Sequence, residues 1–458
     1  LPKTPETVQL IYGILAAGAA YVPLPYREAP ARLGRILTAI RPALFITTGA
    51  MARLLQAAGE TLPQGTRLIE TSEQEEALAA LYQGIPPSRT IAEVSPGDLA
   101  TIFFTSGSTS EPKGVMWSQR SMAASVGDTI RRRGATAADR FISVAMLHYS
   151  ASCEIFYPIM AGASFYLANE REGFLPDHLA EVLERNAITV WGSTSTALRL
   201  LAEGGNLPRR KLHALRFVEF FGERMPLPAL REAMAAMPHA QFCCIYGATE
   251  AFNIAEYRLP RPLASDWDTL PLGLPWEGYE FSLRDEEGAP VPRGEIGEIC
   301  VAGPGVTIGY WNETPANAVR RLAGVADSFR TGDRARWGDD GLLRLLGRED
   351  QMIKIRGHRF ELGEVEAAAR AEPRVKEAVA FPIGSPAEAT GVVLAVLSEA
   401  DDSERADIAD AIRRVSRQRL PRFANPQRVV ICREFPLLSS GKTDRRALQA
   451  LVAPDATS

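Results

Sequence analysis

The run Ala100-Thr101-Ile102-Phe103-Phe104 passes directly into Thr105-Ser106-Gly107-Ser108-Thr109-Ser110-Glu111-Pro112-Lys113-Gly114. The first part is a short apolar segment of the kind buried on both faces of a parallel sheet. The second is a loop of small hydroxyl residues, which offers several backbone N–H groups and hydroxyl donors to one anion. Its glycines let the backbone approach a phosphate closely, and Lys113 adds positive charge. The composition by itself also fits an ordinary Ser/Gly surface turn. The Gly-x4-Gly-Lys-Ser/Thr spacing of a Walker A loop is missing.

Outward from this point the chain alternates helix and short apolar strand. Residues 8–20 carry Leu10, Ile11, Ile14 and Leu15 at helical spacing. Residues 21–24 read as a short strand stopped by Pro25, and 43–47 as a buried strand after a helix over 31–40. Further strands are read at 99–104, 140–146, 164–167, 188–191, 215–220 and 241–245. This alternation predicts an α/β fold with largely parallel, buried strands. After about residue 265 the texture changes: 279–284, 297–302, 335–337 and 342–346 are short alternating segments between Gly, Pro and Asp turns, as in antiparallel sheet. Past Arg348-Glu349-Asp350 the order is strand (352–355), helix (362–371), strands (378–382 and 391–397), helix (404–418) and strand (428–432), enough for an α+β domain. The expected division is 1–348 and 349–458.

The 458 residues are 46% hydrophobic and 23% charged, ordinary for a globular protein and suited to roughly two to four domains. A net charge of −4 gives no ground for nucleic acid or an anionic membrane as main partner. The basic runs Arg131-Arg132-Arg133 and Arg209-Arg210-Lys211 are read as solvated surface. Five cysteines and five histidines are scattered without metal-ligand spacing, which fits a reducing compartment and predicts no disulfide framework or structural metal. No apolar run is long enough to span a bilayer, and Leu1-Pro2-Lys3 opens without a charged n-region or cleavage pattern. The expectation is a cytoplasmic enzyme.

The loop at 105–114 resembles the phosphate-loop signature of the adenylate-forming superfamily, which includes acyl- and aryl-CoA synthetases, adenylation domains of nonribosomal peptide synthetases, and luciferases. Ser110 stands where the usual pattern has Gly. The resemblance implies a large N-terminal domain of mostly parallel sheets with helices and a small β-barrel-like part, followed by a small mobile α+β C-terminal domain. It implies that Thr105, Ser106, Gly107, Ser108, Thr109 and Lys113 bind the phosphates of ATP.

Five further segments match the family in order. Tyr246-Gly247-Ala248-Thr249-Glu250 resembles the aromatic-Gly-x-Thr-Glu motif, which implies that Tyr246 stacks on adenine, Thr249 binds phosphate and Glu250 helps to hold Mg²⁺. A flat ring suits a purine face, and a hard cation wants a carboxylate oxygen. A purely structural reading makes Tyr246 core and Thr249-Glu250 a helix start. Phe221-Gly222-Glu223 stands where the family has Gly-Gly-Glu along the adenine, with Phe221 in place of a glycine. Arg330-Thr331-Gly332-Asp333 resembles the Thr-Gly-Asp motif whose carboxylate takes both ribose hydroxyls, with Asp333 expected after a tight Gly turn. The longest match runs from Gly347 to Arg359 and on through Glu366. There Arg348 corresponds to a nucleotide contact, Asp350 to the hinge, Gly357 to the lining of the thiol tunnel and Arg359 to an approach to the phosphate. Finally, the segment 436–445 resembles the catalytic-lysine loop, with Lys442 as that lysine.

The implied chemistry is coherent. A carboxylate attacking the α-phosphate of ATP brings two anions together, so positive charge must be waiting at the transition state. Lys442, and Mg²⁺ at Glu250, would supply it. Turning the small domain about Asp350 would then withdraw Lys442 and present Gly357 for the thiol step.

In peptide-synthetase domains that take α-amino acids, an Asp near residues 147–154 pairs with the substrate amine. Alignment on Glu154-Ile155-Phe156 puts Tyr149 there. Unless Glu219 or Glu154 substitutes, an unpaired ammonium in a closed pocket is costly, so an aryl, heteroaryl or short acyl acid is expected. The expected pocket is His148, Tyr149, Trp191, Gly192, Phe220, Cys243 and Ile245, with His148 resembling the His of CoA synthetases. Residues 355–366 and Lys442-Thr443-Asp444-Arg445 are nearer the peptide-synthetase style. The expected acceptor is therefore the phosphopantetheine thiol of a holo carrier protein, with free CoA as the alternative. An inactive nucleotide-binding module would predict erosion at Lys113, Glu250, Asp333 or Lys442, and all four are present. The match opens in the family's early helix, so an opening segment is expected to be missing. Nothing before Ser458 resembles a carrier domain.

Overall fold

Pro5 at the first helical position and Thr4 Oγ1, which accepts from the Thr7 amide, start the first helix, Pro5–Ala16. It begins and ends earlier than its apolar spacing suggested. A computed structural model describes residues 1–25, 28–71, 84–86, 88, 90–105, 112–222, 225–264, 267, 270–312, 321–348, 352–356, 358–385, 389–436 and 443–452. The chain divides into two compact units, Leu1–Tyr26 with Thr71–Phe104 and Gly114–Glu349, and Arg27–Glu70 with Thr105–Lys113 and Asp350–Ser458.

The first unit is built on a seven-stranded sheet in the order Leu274–Pro275, Ala251–Arg258, Gln241–Ala248, Phe217–Phe221, Val190–Thr194, Arg140–Ser143, Ser164–Leu167. The last five run parallel. Ala251–Arg258 pairs antiparallel with both of its neighbours, in a sheet that is otherwise parallel as expected. The reason is local: only Thr249 and Glu250 separate two strands, and so short a link forces the chain straight back. One face of the sheet carries Trp191, Val218, Phe220 and Phe242, packed on Leu183, Leu198 and Leu230 of the helices Pro176–Arg185, Ser195–Gly204 and Leu227–Ala236. The other carries Val190, Phe217, Cys243 and Ile245 in a core shared with Met122 and Val126 of the helix Gln119–Arg133. Tyr21 makes only an isolated bridge to Thr101 rather than a strand.

A four-stranded antiparallel sheet follows, in the order Glu280–Arg284, Gly297–Ala302, Ser328–Trp337, Leu343–Arg348. The Thr331-Gly332-Asp333 segment lies inside its third strand, not in a tight turn between strands. Gly332 has φ +75°, and the register against Gly297–Ala302 shifts between the pairs Arg330–Cys300 and Arg334–Glu298, so the strand bends at a bulge and continues.

In the second unit, the strands Glu377–Ile383, Gly391–Leu397 and Arg428–Cys432 form a sheet against the helices Leu362–Arg370 and Arg405–Arg419. The hairpin Met352–Ile355 and His358–Glu361 belongs with them. This unit also holds the helix Pro30–Ile40, which the sequence had assigned to the N-terminal part. Its Arg32, 5% exposed, reaches Glu364 at 3.3 Å and Glu28 at 3.3 Å. Among the described residues, no helix is long and apolar enough to cross a membrane.

Candidate active site

Two of the expected nucleotide residues meet. Tyr246, near the end of the strand Gln241–Ala248, donates its hydroxyl to Oδ2 of Asp333 at 2.6 Å across 87 positions of sequence. Both are buried. The Tyr246 ring also meets Phe281 edge-on, with centroids 6.1 Å apart. Strand register sets Arg348 opposite Asp333.

Thr249 and Glu250 form the tip of the hairpin whose arms pair Ala248 with Ala251, not the start of a helix. Gly247 makes the hairpin possible: a Cβ there would lie 2.6 Å from the Asn253 nitrogen. Glu250 is 2% exposed. Its Oε1 accepts from the Tyr310 hydroxyl at 2.8 Å, and its carbonyl accepts from the Thr307 amide at 2.7 Å. The Thr249 carbonyl accepts from Trp117 Nε1 at 2.9 Å, and its hydroxyl lies 3.5 Å from that of Ser150. Among the described residues no group of three or more His, Cys, Asp or Glu could cage a metal. One fixed carboxylate does suit a cation that takes its remaining ligands from phosphates and water, as Mg²⁺ does. Gly222, at φ +91°, ends the strand Phe217–Phe221. Thr105 ends its own strand and donates from Oγ1 to the Lys113 carbonyl at 3.5 Å. Ser106, Gly107, Ser108, Thr109, Glu223, Asp350, Gly357 and Lys442 lie outside the described residues, as do the side chains of Arg348 and Arg359.

The expected acyl pocket needs correction. Trp191 and Phe220 are fully buried in the helix-covered core, on the face opposite Gly192, Cys243 and Ile245. Side chains alternate along a strand, and the expected set mixed the two parities. The register pairs Gly192 with Glu219 and Glu219 with Cys243, then Thr194 with Phe221 and Phe221 with Ile245. Glu219 and Phe221 therefore share the face of Gly192, Cys243 and Ile245. His148 and Tyr149, with ring centroids 4.0 Å apart, lead into the 3₁₀ turn Ser150–Phe156. Cys153 and Ile155 of that turn belong to the same core as Cys243 and Ile245.

Arg133 is the residue that sequence reading missed. Expected in solvent, it is 5% exposed. Its Nε donates to Glu219 Oε2 at 2.8 Å, Nη2 meets Oε1, and the guanidinium lies 4.5 Å over the Tyr157 ring. The signal was available: Met122, Val126, Thr129 and Arg133 recur at helical spacing and all are buried. Nearby, burial pushes the Glu154 carboxyl up to about 7 against the opposing charges of Lys3 and Arg133. A separate cavity of about 190 Å³, lined by Gly34, Leu37, Phe45 and Leu68 among others, includes none of the motif residues.

A family model described as AMP-binding enzyme matches residues 1–311, and one described as AMP-binding enzyme C-terminal domain matches 364–442. The chain is 32% identical over 469 residues to an L-proline--[L-prolyl-carrier protein] ligase of Streptomyces coelicolor, covering 98% of this chain and 86% of that protein. It is 33% identical over 430 residues to pyochelin synthetase PchF of Pseudomonas aeruginosa, covering 92% of this chain but only 23% of that much longer protein. Among solved structures, the amide bond synthetase McbA from Marinactinospora thermotolerans superposes with a TM-score of 0.83 at 25% identity, over 98% of this chain and 88% of that one.

Proposed function

The chain belongs to the AMP-binding enzyme family, and on that premise we propose that it activates a carboxylic acid with ATP and passes the acyl group to a carrier-bound thiol. In the first step a carboxylate oxygen bonds to the α-phosphorus as the bond to the bridging oxygen breaks, giving acyl-AMP and pyrophosphate. In the second, the phosphopantetheine sulfur of a carrier protein bonds to the acyl carbon and AMP leaves. The observation that most supports this reading is the Tyr246–Asp333 hydrogen bond at 2.6 Å. It joins two distant motif residues, and the Thr249-Glu250 tip continues from the strand that carries Tyr246.

In this reading Tyr246 stacks on adenine, Asp333 takes the ribose hydroxyls, and Thr105 to Lys113, Gly222, Glu223, Gly247 and Arg348 bind the rest of the nucleotide. Glu250, kept oriented by Tyr310, would hold Mg²⁺, which neutralises phosphate charge when bound. Thr249 bonds a phosphate oxygen, and Lys442 provides the cation that stabilises the reacting α-phosphate. The C-terminal domain, from Glu349 on, turns about Asp350 and brings Gly357 and Arg359 into play for the thiol step.

The acid is aryl, heteroaryl or short acyl and lacks an α-ammonium. One finding supports this: Glu219 is engaged by Arg133 and so is not a spare anion for a substrate amine. The reducing compartment that the cysteines suit makes the cytoplasm the site of action. The carrier-protein ligase among the relatives covered over most of their length favours a carrier over free CoA.

Lys442→Ala tests the assignment. Acid-dependent ATP–pyrophosphate exchange should fall on the order of a hundredfold or more, while thioester formation from supplied acyl-adenylate is largely spared. Equal loss of both steps sinks it. Asp350→Pro should keep adenylation and cripple transfer, because proline locks φ at the pivot. Parallel assays with CoA and with a holo carrier protein identify the acceptor.

A further inference from the structure

We propose that the Arg133–Glu219 ion pair is the closed end of the acyl pocket and sets the length of acid that the enzyme accepts. The inference rests on the adenylation reading above.

The strand register divides the pocket face into steps. Phe221 and Ile245 share the step next to the strand ends, beside Gly222. Gly192, Glu219 and Cys243 form the step below it, about 6.6 Å deeper at two residues of strand rise. The upper step is partly open, with Phe221 half-buried, whereas Glu219 is 2% exposed and Cys243 fully buried. An acyl chain entering from the strand ends can pass Phe221 only if the lower step has room. Gly192 would provide that room, but the space is taken: a Cβ on Gly192 would lie 2.8 Å from Glu219 Oε1. The Glu219 carboxylate is folded over the glycine and cannot swing aside. Arg133 grips both of its oxygens and is itself packed on Tyr157. The two charges cancel, so this end of the pocket attracts neither an ammonium nor a carboxylate, and separating them in a buried site is costly. Removing the Glu219 carboxylate would open the lower step and leave the guanidinium facing it.

Binding of non-reacting analogues reads this without turnover. The probes are adenosine 5′-sulfamates N-acylated with a graded series of straight-chain acids, plus matched acyl groups ending in a carboxylate, titrated by calorimetry. Wild type should lose roughly tenfold or more in affinity once the acyl group outgrows the first step. Glu219→Ala should move that cutoff to longer chains and bind the carboxylate-ended analogue roughly tenfold tighter than its uncharged match. The double variant Arg133→Met, Glu219→Ala removes both charges of the pair together and so keeps the measurement available if the single variant fails to fold. It should accept longer chains with no preference for the terminal carboxylate. A cutoff unmoved in the double variant overturns the inference. Failure of unacylated adenosine 5′-sulfamate to bind wild type would instead defeat the adenylation reading and, with it, this one. Binding of that parent compound with no dependence on acyl length defeats only the pocket inference.

Discussion

Tyr246 and Asp333, on the proposed nucleotide side, meet through a hydrogen bond. Arg133 and Glu219, on the proposed acyl side, meet through a charged pair one step deeper in the sheet. The first contact joins a neutral donor to a carboxylate. The second consumes both charges, so its effect is to fill space and fix polarity. A buried pair of this kind adds little net stability over an apolar filling, but breaking it is expensive. In the proposed reading the first contact belongs to the site that receives the nucleotide, and the second limits how long an acyl group can enter.

Measurements can break that contrast, beginning with the largest effect. Arg133→Ala leaves Glu219 as an uncompensated buried charge and should lower the unfolding free energy by about 3–5 kcal/mol in urea titrations. Arg133→Met with Glu219→Leu should recover most of the loss. A single variant as stable as wild type would mean that the pair is hydrated and closes nothing.

The second unit handles a half-buried ionisable group in a third way, by favouring its neutral form. His358 stacks on Phe423 with centroids 4.6 Å apart. Burial, helped by the Arg356 charge, brings its imidazole down from 6.5 to about 4. The unfolded chain would take up a proton that the folded state refuses. The stabilising difference is therefore intact above pH 6.5 and is lost as pH falls toward 4, in total about 3 kcal/mol. His358→Phe should flatten the acid limb of stability against pH. An unchanged limb would assign it to other groups.

On the nucleotide side the effects should be smaller and kinetic. Asp333→Ala removes a charged acceptor and should raise the KM for ATP on the order of 10–100-fold. Tyr246→Phe keeps the ring and loses only the donor, so a rise of about threefold to tenfold is expected. If the two variants matched, Asp333 would serve only to hold Tyr246, and the contrast between the two sides would narrow.

The strand 164–167 was read to the residue, and so were 297–302, 391–397 and 428–432, because short apolar runs bounded by turn formers carry their own limits. The bend at Gly332 was misread as a turn, since a glycine with positive φ looks the same locally whether the chain reverses or bulges. Trp191 and Phe220 were wrongly put with Gly192, because a one-residue error in strand phase moves a side chain to the other face. Arg133 was hidden by the company of the exposed Arg131, although its helical phase marked it as inward.

What the sequence determined by itself was the family, the α/β plan and the order of the nucleotide motifs, because backbone-close glycines, a fixed carboxylate and an aromatic ring leave local signatures. What only the tertiary structure decided was the acyl side. Which face a strand residue takes depends on register with its neighbours. The partnership of Arg133 and Glu219, 86 positions apart, depends on a helix laid across that register, and no local pattern encodes it.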